Sequence, residues 1–206
     1  GADGGMMRYN ADGSQGEMCG NGARCLARYG LEHGLAGDAE NIRISTVAGL
    51  VKAKKITEDR YEVRLNDPSV IDLHRAVNTD GKEEDCAYVE LGDPGIPHAV
   101  VEVNCTELDD QESLRERGRK LRHSSAFPKG ANVTFACITG EQSVKAVTFE
   151  RGVEDFTPAC GTGCGATATA LILRGRIPGT RLEVEMPGGL LTVRLKRELS
   201  GVHDII

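Results

Sequence analysis

The tetrad Cys19-Gly20-Asn21-Gly22 is nearly repeated as Cys160-Gly161-Thr162-Gly163 about 140 residues further on, and each copy leads straight into a helix-patterned run. That separation is too long for one local motif. It suits one equivalent element in each of two similar domains. The predicted helices run from Ala23 to His33 and from Gly165 to Arg174. The second is an Ala/Thr/Leu run that is apolar on nearly all sides, the pattern of a helix buried inside a domain.

A cysteine at the mouth of a helix sits against unpaired N–H groups and the positive end of the helix dipole, which favour thiolate over thiol. Glycines beside the polar residue let a ligand approach the backbone closely, and the same N–H groups can hold a carboxylate. Each tetrad is therefore a candidate carboxylate cradle, Gly20-Asn21 or Gly161-Thr162, with a proton-transfer group attached. Two such cradles facing across a cleft would put one sulfur on each side of a small bound acid. That arrangement can remove a proton from one face of a carbon and return one to the other. It needs neither a metal nor an organic cofactor. A single cysteine near a helix start is more often packed core than catalyst, and it is the repetition with both glycines that favours function.

The remaining composition narrows the classes. At 206 residues and 39% hydrophobic the chain can bury a real core, and with 4% aromatics and no Trp that core must be Val, Ile, Leu and Ala. A net charge of −6 argues against nucleic acid as a partner. The basic cluster Arg115 to His123 follows an acidic stretch and reads as a solvated helix face. No signal peptide and no membrane-length apolar run is visible, so a cytoplasmic location is expected, with all seven cysteines reduced. Cys19 with Cys25 and Cys160 with Cys164 lack the tight paired spacing of thiolate zinc sites, and no structural metal is expected. Both ends of the chain read as cut.

Strands are expected at Met6 to Tyr9, Ile42 to Val47, Gly49 to Ile56 and Tyr61 to Leu65, after which Asn66-Asp67-Pro68 breaks the pattern. A domain boundary is placed there, giving domains 1–66 and 67–206. The polar segment to Asp85 is expected to loop over the surface, as is Gly92 to His98. Further strands are expected at Ala87 to Leu91, Ala99 to Val103, Val133 to Ile138, Ser143 to Glu150, Leu182 to Glu185 and Leu190 to Leu195, with a helix from Asp109 to Arg122.

The segments Asn10 to Ser14 with Glu17 to Cys25, and Glu150 to Asp155 with Ala159 to Gly163, closely resemble the diaminopimelate epimerases. The resemblance extends over nearly the whole chain, including Phe127 to Asn132 and Pro97-His98. It implies an α/β (α+β) fold of two pseudo-symmetric domains, each a curled, mostly antiparallel sheet around a central helix. It further implies a cofactor-independent epimerase interconverting LL- and meso-diaminopimelate for lysine and peptidoglycan-precursor synthesis, and it allows a homodimer. Carried over by position, Cys19 and Cys160 are the acid/base pair, with Glu150 and His98 beside the thiols. Gly20, Asn21, Gly161 and Thr162 hold the carboxylate at the reacting carbon, while Asn10, Asn132 and Arg151 bind the distal amino and carboxylate groups.

Two positions depart from the family pattern. Ile96 stands where the Gly-Asn-Pro-His loop carries an asparagine that contacts the distal end of the substrate, and Cys164 replaces a small apolar residue. Ile96 keeps a related amino-acid racemase or small-acid isomerase on the same scaffold as the alternative reading. A redox or metal-binding module using the cysteines is the alternative from another class.

Overall fold

The computed structural model describes residues 1–9, 13–199 and 201–206. Its first part contains β1 (Gly4–Gly5), β2 (Arg8–Tyr9), β3 (Gln15–Gly16), α1 (Gly20–Glu32), β4 (Asn41–Thr46), β5 (Gly49–Lys55) and β6 (Tyr61–Arg64). A sheet in the order β1-β4-β5-β6 carries α1 on one face, and β2 pairs with β3 in a separate short ribbon. Helix α1 begins where Cys19 adopts extended backbone and its sulfur accepts the Gly22 N–H at 3.4 Å. Gly20, Ala23, Ala27 and Gly30 form its buried stripe at helical spacing. All four are small, so the helix lies close on the sheet, and a Cβ at Gly30 would fall 2.4 Å from Ile42 Cδ1.

The rest of the chain builds β7 (Pro68–Thr79), β8 (Lys82–Leu91), β9 (Ile96–Glu102), a 3₁₀ turn (Cys105–Asp109), α2 (Gln111–Arg122), β10 (Asn132–Gly140), β11 (Ser143–Phe149), β12 (Phe156–Thr157), α3 (Gly161–Leu173), β13 (Arg181–Met186), β14 (Gly189–Arg194), β15 (Lys196–Glu198) and β16 (Gly201–His203). The large sheet runs β14-β13-β11-β10-β9-β8-β7, with β12 on β11, and is mostly antiparallel apart from the β9–β10 and β11–β13 pairs. Alternation along its strands separates two apolar layers. Ile96 and Val100 of β9 join the cluster that contains α3, while Ala99 and Val101 join the cluster beneath α2.

Helix α3 is buried along almost its whole length. Its hydroxyls are satisfied internally, Thr167 donating to the Gly163 carbonyl at 2.8 Å and Thr169 to that of Gly165 at 2.9 Å. The α3 cluster also takes in Met18, Ala23, Ile42 and Leu65 from the first sheet and α1, so one core joins the two sheets. Close approach fixes one glycine here, since a Cβ at Gly165 would sit 2.6 Å from Leu65 Cδ1.

Three expectations are corrected. The segment 67–85 is not a surface loop but most of the β7–β8 hairpin, turned by Asp80 (φ 55°) and Gly81 (φ 83°). Strand β9 starts at Ile96, so Pro97 and His98 lie in the sheet, where buried neighbours on β8 and β10 supply ladder partners. Cys105 and Cys137 are joined as a disulfide, Cα atoms 5.1 Å apart, because the turn after β9 brings them side by side; the other five cysteines are free.

Candidate active site

The two tetrads form matching helix mouths. Cys160 also caps its helix from extended backbone, its sulfur accepting the Gly163 N–H at 3.4 Å, as Cys19 does for α1. The mouths meet: a Cβ on Gly20 would lie 3.4 Å from Gly161 Cα, and one on Gly161 would lie 3.5 Å from Gly20 Cα. Asn21 ties them together by donating from Nδ2 to the Ala159 carbonyl at 3.1 Å. Between them is a small cavity of about 40 Å³, lined by both cysteines, Gly20, Asn21, Gly161 and Thr162, and walled by Arg8, Glu17, Ile96, Asn132, Glu150 and Arg151. First-turn residues of both helices line this space, and unpaired N–H groups at a helix start suit a carboxylate.

The two sulfurs are not equivalent. Cys160 is 7% exposed whereas Cys19 is half-buried. Burial pushes the Cys160 thiol well above its ordinary range, the nearby Glu150 carboxylate pushes it further, and hydrogen bonds with Thr162 and Gly163 only partly offset this. The expectation that a helix mouth favours thiolate thus fails at Cys160, because desolvation outweighs the dipole. Cys160 is held as the neutral thiol.

Around the cysteines the large sheet presents one polar row. His98, Asn132, Thr134 and Thr148 alternate onto the α3 face, and Thr134 and Thr148 share a 2.9 Å hydrogen bond beneath the first turn of α3. That turn has no room for a side chain at Gly163, where a Cβ would lie 3.0 Å from Thr148 Oγ1, 3.1 Å from Thr134 Oγ1 and 3.2 Å from Cys160 Sγ. Glu150, at the end of β11, accepts from Thr157 Oγ1 at 2.5 Å and faces Arg8 Nη2 at 4.0 Å. Asn132 is committed at both ends, donating to the Pro97 carbonyl at 3.1 Å and accepting the Arg151 N–H at 2.9 Å.

His98 lies on the same sheet face as Ile96 but behind the cleft wall. It is 0% exposed, neither ring nitrogen has a hydrogen-bond partner among the described residues, and burial, with the Arg151 charge, lowers its pKa to about 3. Its imidazole is therefore neutral at physiological pH. Asn10 lies outside the described residues. Cys164 sits within α3 and directs its thiol at Met186 Sδ (3.3 Å), the same sulfur that accepts the Cys160 backbone N–H at 3.4 Å.

Sequence reasoning missed Arg8 and Glu17. Arg8 belongs to β2, and Glu17 forms a close ion pair with Arg151 across the cleft. Their partners lie more than half the chain away, and only Glu17's place beside Cys19 hinted at a role. Among the described residues no group of three metal-ligating side chains converges, and no helix is long and apolar enough to cross a membrane.

The fold is shared with solved structures of an epimerase and of a phenazine biosynthesis protein. The chain superposes on a hydroxyproline epimerase from Agrobacterium vitis with a TM-score of 0.67 at 20% identity, covering 98% of this chain and 66% of that one. For the Bacillus anthracis phenazine biosynthesis protein of the PhzF family the TM-score is 0.66 at 16% identity, covering 96% and 74%. At those identities the likeness defines a scaffold class. The family follows from sequence: the model described as diaminopimelate epimerase matches residues 2–71 and 92–203. The chain is 36% identical to the diaminopimelate epimerase of Aquifex aeolicus over 197 residues, covering 94% of this chain and 67% of the relative. It is 35% identical to that of Methanothrix thermoacetophila over 207 residues, covering 96% and 70%. This chain belongs to the diaminopimelate epimerase family.

Proposed function

We propose that the protein interconverts LL- and meso-diaminopimelate by a two-thiol mechanism, without a metal or organic cofactor, as a step toward lysine and peptidoglycan precursors. The observation that carries the reading is the meeting of two cysteine-capped helix mouths at one small polar cavity. The thiolate of Cys19 takes the α-proton, so the Cα–H bond breaks and its electron pair stays on carbon. Cys160 then gives its thiol proton to the opposite face and is left as the thiolate. The reverse direction exchanges the two roles. The α-carboxylate, held by N–H groups of Gly20-Asn21 and Gly161-Thr162, shares the negative charge that develops on carbon, and those dipoles stabilise it without reorganising.

Glu150 acts beside Cys160: its carboxylate disfavours a second negative charge there and so keeps the sulfur protonated before substrate binds. Arg151 receives the distal carboxylate. Asn132 supports this by fixing the Arg151 backbone, and the same bond pattern ties the 150–151 turn to the rim of β9. The buried, neutral His98 supports that rim from behind, and Asn10 is assigned to the distal end on family resemblance. A boundary between domains 1–66 and 67–206, a cytoplasmic location and homodimer formation complete the proposal; the change of sheet between β6 and β7 supports the first of these.

Ile96, an apolar wall beside Arg151, favours a second substrate as the alternative. Chromatographic separation of LL- and meso-isomers, under reducing conditions with a chelator present, tests the proposal. Interconversion from either isomer is expected. Untouched diaminopimelate together with racemisation of proline or another amino acid would replace it with the alternative.

A further inference from the structure

The three residues that lead into α3 are held one at a time. The Pro158 carbonyl accepts the Gly188 N–H at 2.6 Å, the Ala159 carbonyl accepts Asn21 Nδ2 at 3.1 Å, and the Cys160 N–H donates to Met186 Sδ at 3.4 Å. Met186 ends β13, and Gly188 lies in the tight turn to β14. That turn packs directly on the segment: a Cβ at Gly188 would lie 2.8 Å from the Pro158 carbonyl oxygen and 3.1 Å from its carbon. Met186 is buried, and its sulfur also accepts the thiol of Cys164, one helical turn along α3 from Cys160.

The N–H of an N-cap residue lies outside its helix's own ladder, and a buried one needs an acceptor from elsewhere. At Cys160 that acceptor is the Met186 thioether. On its carbonyl side Cys160 is fixed by α3 itself, through the Cys164 N–H at 3.0 Å. With its amide pinned as well, the peptides on both sides of its Cα are held, and the sulfur is set in one place at the cavity wall. Such placement matters, since a shift of about 1 Å at a reacting atom can cost on the order of a hundredfold in rate. The other thiol is differently served. An open groove of about 960 Å³ is lined by Cys19, Asn21 and Ala159 but not by Cys160, so a proton on Cys19 has a path to water.

We infer that Met186 is a positioning residue: its thioether, steadied by the Cys164 thiol, clamps the Cys160 amide and so sets the Cys160 sulfur against its face of the substrate carbon. The Cys164 thiol, pushed up to about 12 by burial, stays neutral and serves only as a donor. The inference rests on the two-thiol reading of the site. Loosening the clamp should harm one face of the carbon only. From the isomer that Cys19 deprotonates, the Cys19 thiol can trade its proton for a solvent deuteron and return it to the same face, labelling the substrate without inversion. From the isomer that Cys160 deprotonates, exchange and inversion should fail together.

The test uses the full protein with Met186→Leu, which keeps the bulk and removes the acceptor, and Met186→Gln, which keeps the length and offers a carbonyl oxygen. LL- and meso-diaminopimelate are each incubated in D₂O under reducing conditions, and amide hydrogen exchange is followed by NMR. Met186→Leu should lower kcat about tenfold with KM changed by less than about threefold. Deuterium entering recovered substrate should fall less than about threefold for one isomer and about tenfold for the other. The Cys160 amide should exchange at least about tenfold faster, while Ala168 in the middle of α3 keeps its protection. Met186→Gln should stay within about threefold of the parent throughout. Parent-like turnover and Cys160 protection in Met186→Leu overturn the inference. So does an equal fall in exchange and inversion from both isomers with Ala168 loosened alike, the mark of a structural role. If Met186→Leu does not fold, Met186→Gln decides: a parent-like ratio of exchange to inversion upholds the clamp, and a raised ratio overturns it. A parent that leaves diaminopimelate untouched while the Cys160 amide responds as stated would remove the functional reading and leave Met186 its clamp. Neither turnover nor that response would remove both.

Discussion

Acidification should destabilise this fold through His98 before the carboxylates begin to titrate. The imidazole is wholly buried with no partner for either ring nitrogen among the described residues, and its pKa in the folded protein is about 3, against 6.5 for an ordinary histidine. Below pH 6.5 the unfolded chain takes up a proton there and the folded chain does not. The penalty is absent above 6.5, grows as pH falls, and levels off near 3. Its slope is about 1.4 kcal/mol per pH unit, so about 2.7 kcal/mol of stability is lost by pH ~4.5 from this one group. That is a large share of the roughly 5–15 kcal/mol typical of a folded protein. Carboxylates with lowered pKa, such as Asp3 at about 2 through its hydrogen bonds with Arg43, lose stability at lower pH, where they protonate. His98→Leu isolates the histidine. Urea unfolding of parent and variant between pH ~7.5 and ~4.5 should show the variant gaining on the parent by about 1.4 kcal/mol per unit below pH 6.5. A stability difference that stays flat across that range would refute the reasoning.

Other expectations concern close packing. Gly163→Ala places a methyl against Thr134, Thr148 and the Cys160 sulfur, so turnover should fall at least tenfold while the unfolding midpoint moves by an amount matching no more than about 1–3 kcal/mol. Gly118→Ala and Gly30→Ala should separate in chemical denaturation. The first meets Phe149 Cβ at 2.9 Å and Cγ at 3.0 Å, a stem that cannot swing away, and should cost about 1–3 kcal/mol. The second meets only the tip of Ile42, which can rotate, and the gain in helix propensity of up to ~1 kcal/mol should leave it near neutral. Leu171→Ala, fully buried in α3, should cost about 2–5 kcal/mol by the same measurement.

What could be read from the chain follows the range of the physics involved. The tetrads were legible as helix starts because capping is local: the cysteine, the glycines and the N–H groups they expose are adjacent in sequence. The burial of α3 was legible from its lack of a polar face. Strand β7 was not, because it sits at the sheet edge with only one buried position and shows no apolar alternation, although Asp80-Gly81 carried the signal of a tight hairpin turn. The high thiol pKa of Cys160 was hidden because desolvation depends on what packs around a residue, and the dipole that favours thiolate is the only part visible locally. The Glu17–Arg151 pair could not be seen at all, since it joins residues brought together only by the meeting of the two sheets.

The central claim is that two sulfurs act on opposite faces of one carbon. It is tested most directly by incubating LL- and meso-diaminopimelate in D₂O under reducing conditions with the parent, Cys19→Ala and Cys160→Ala, following both isomer composition and deuterium at the α-carbon. The two-thiol account predicts that the parent interconverts the isomers with solvent deuterium in the product, and that neither variant epimerises. Either single variant interconverting the isomers at a rate near the parent's would contradict it.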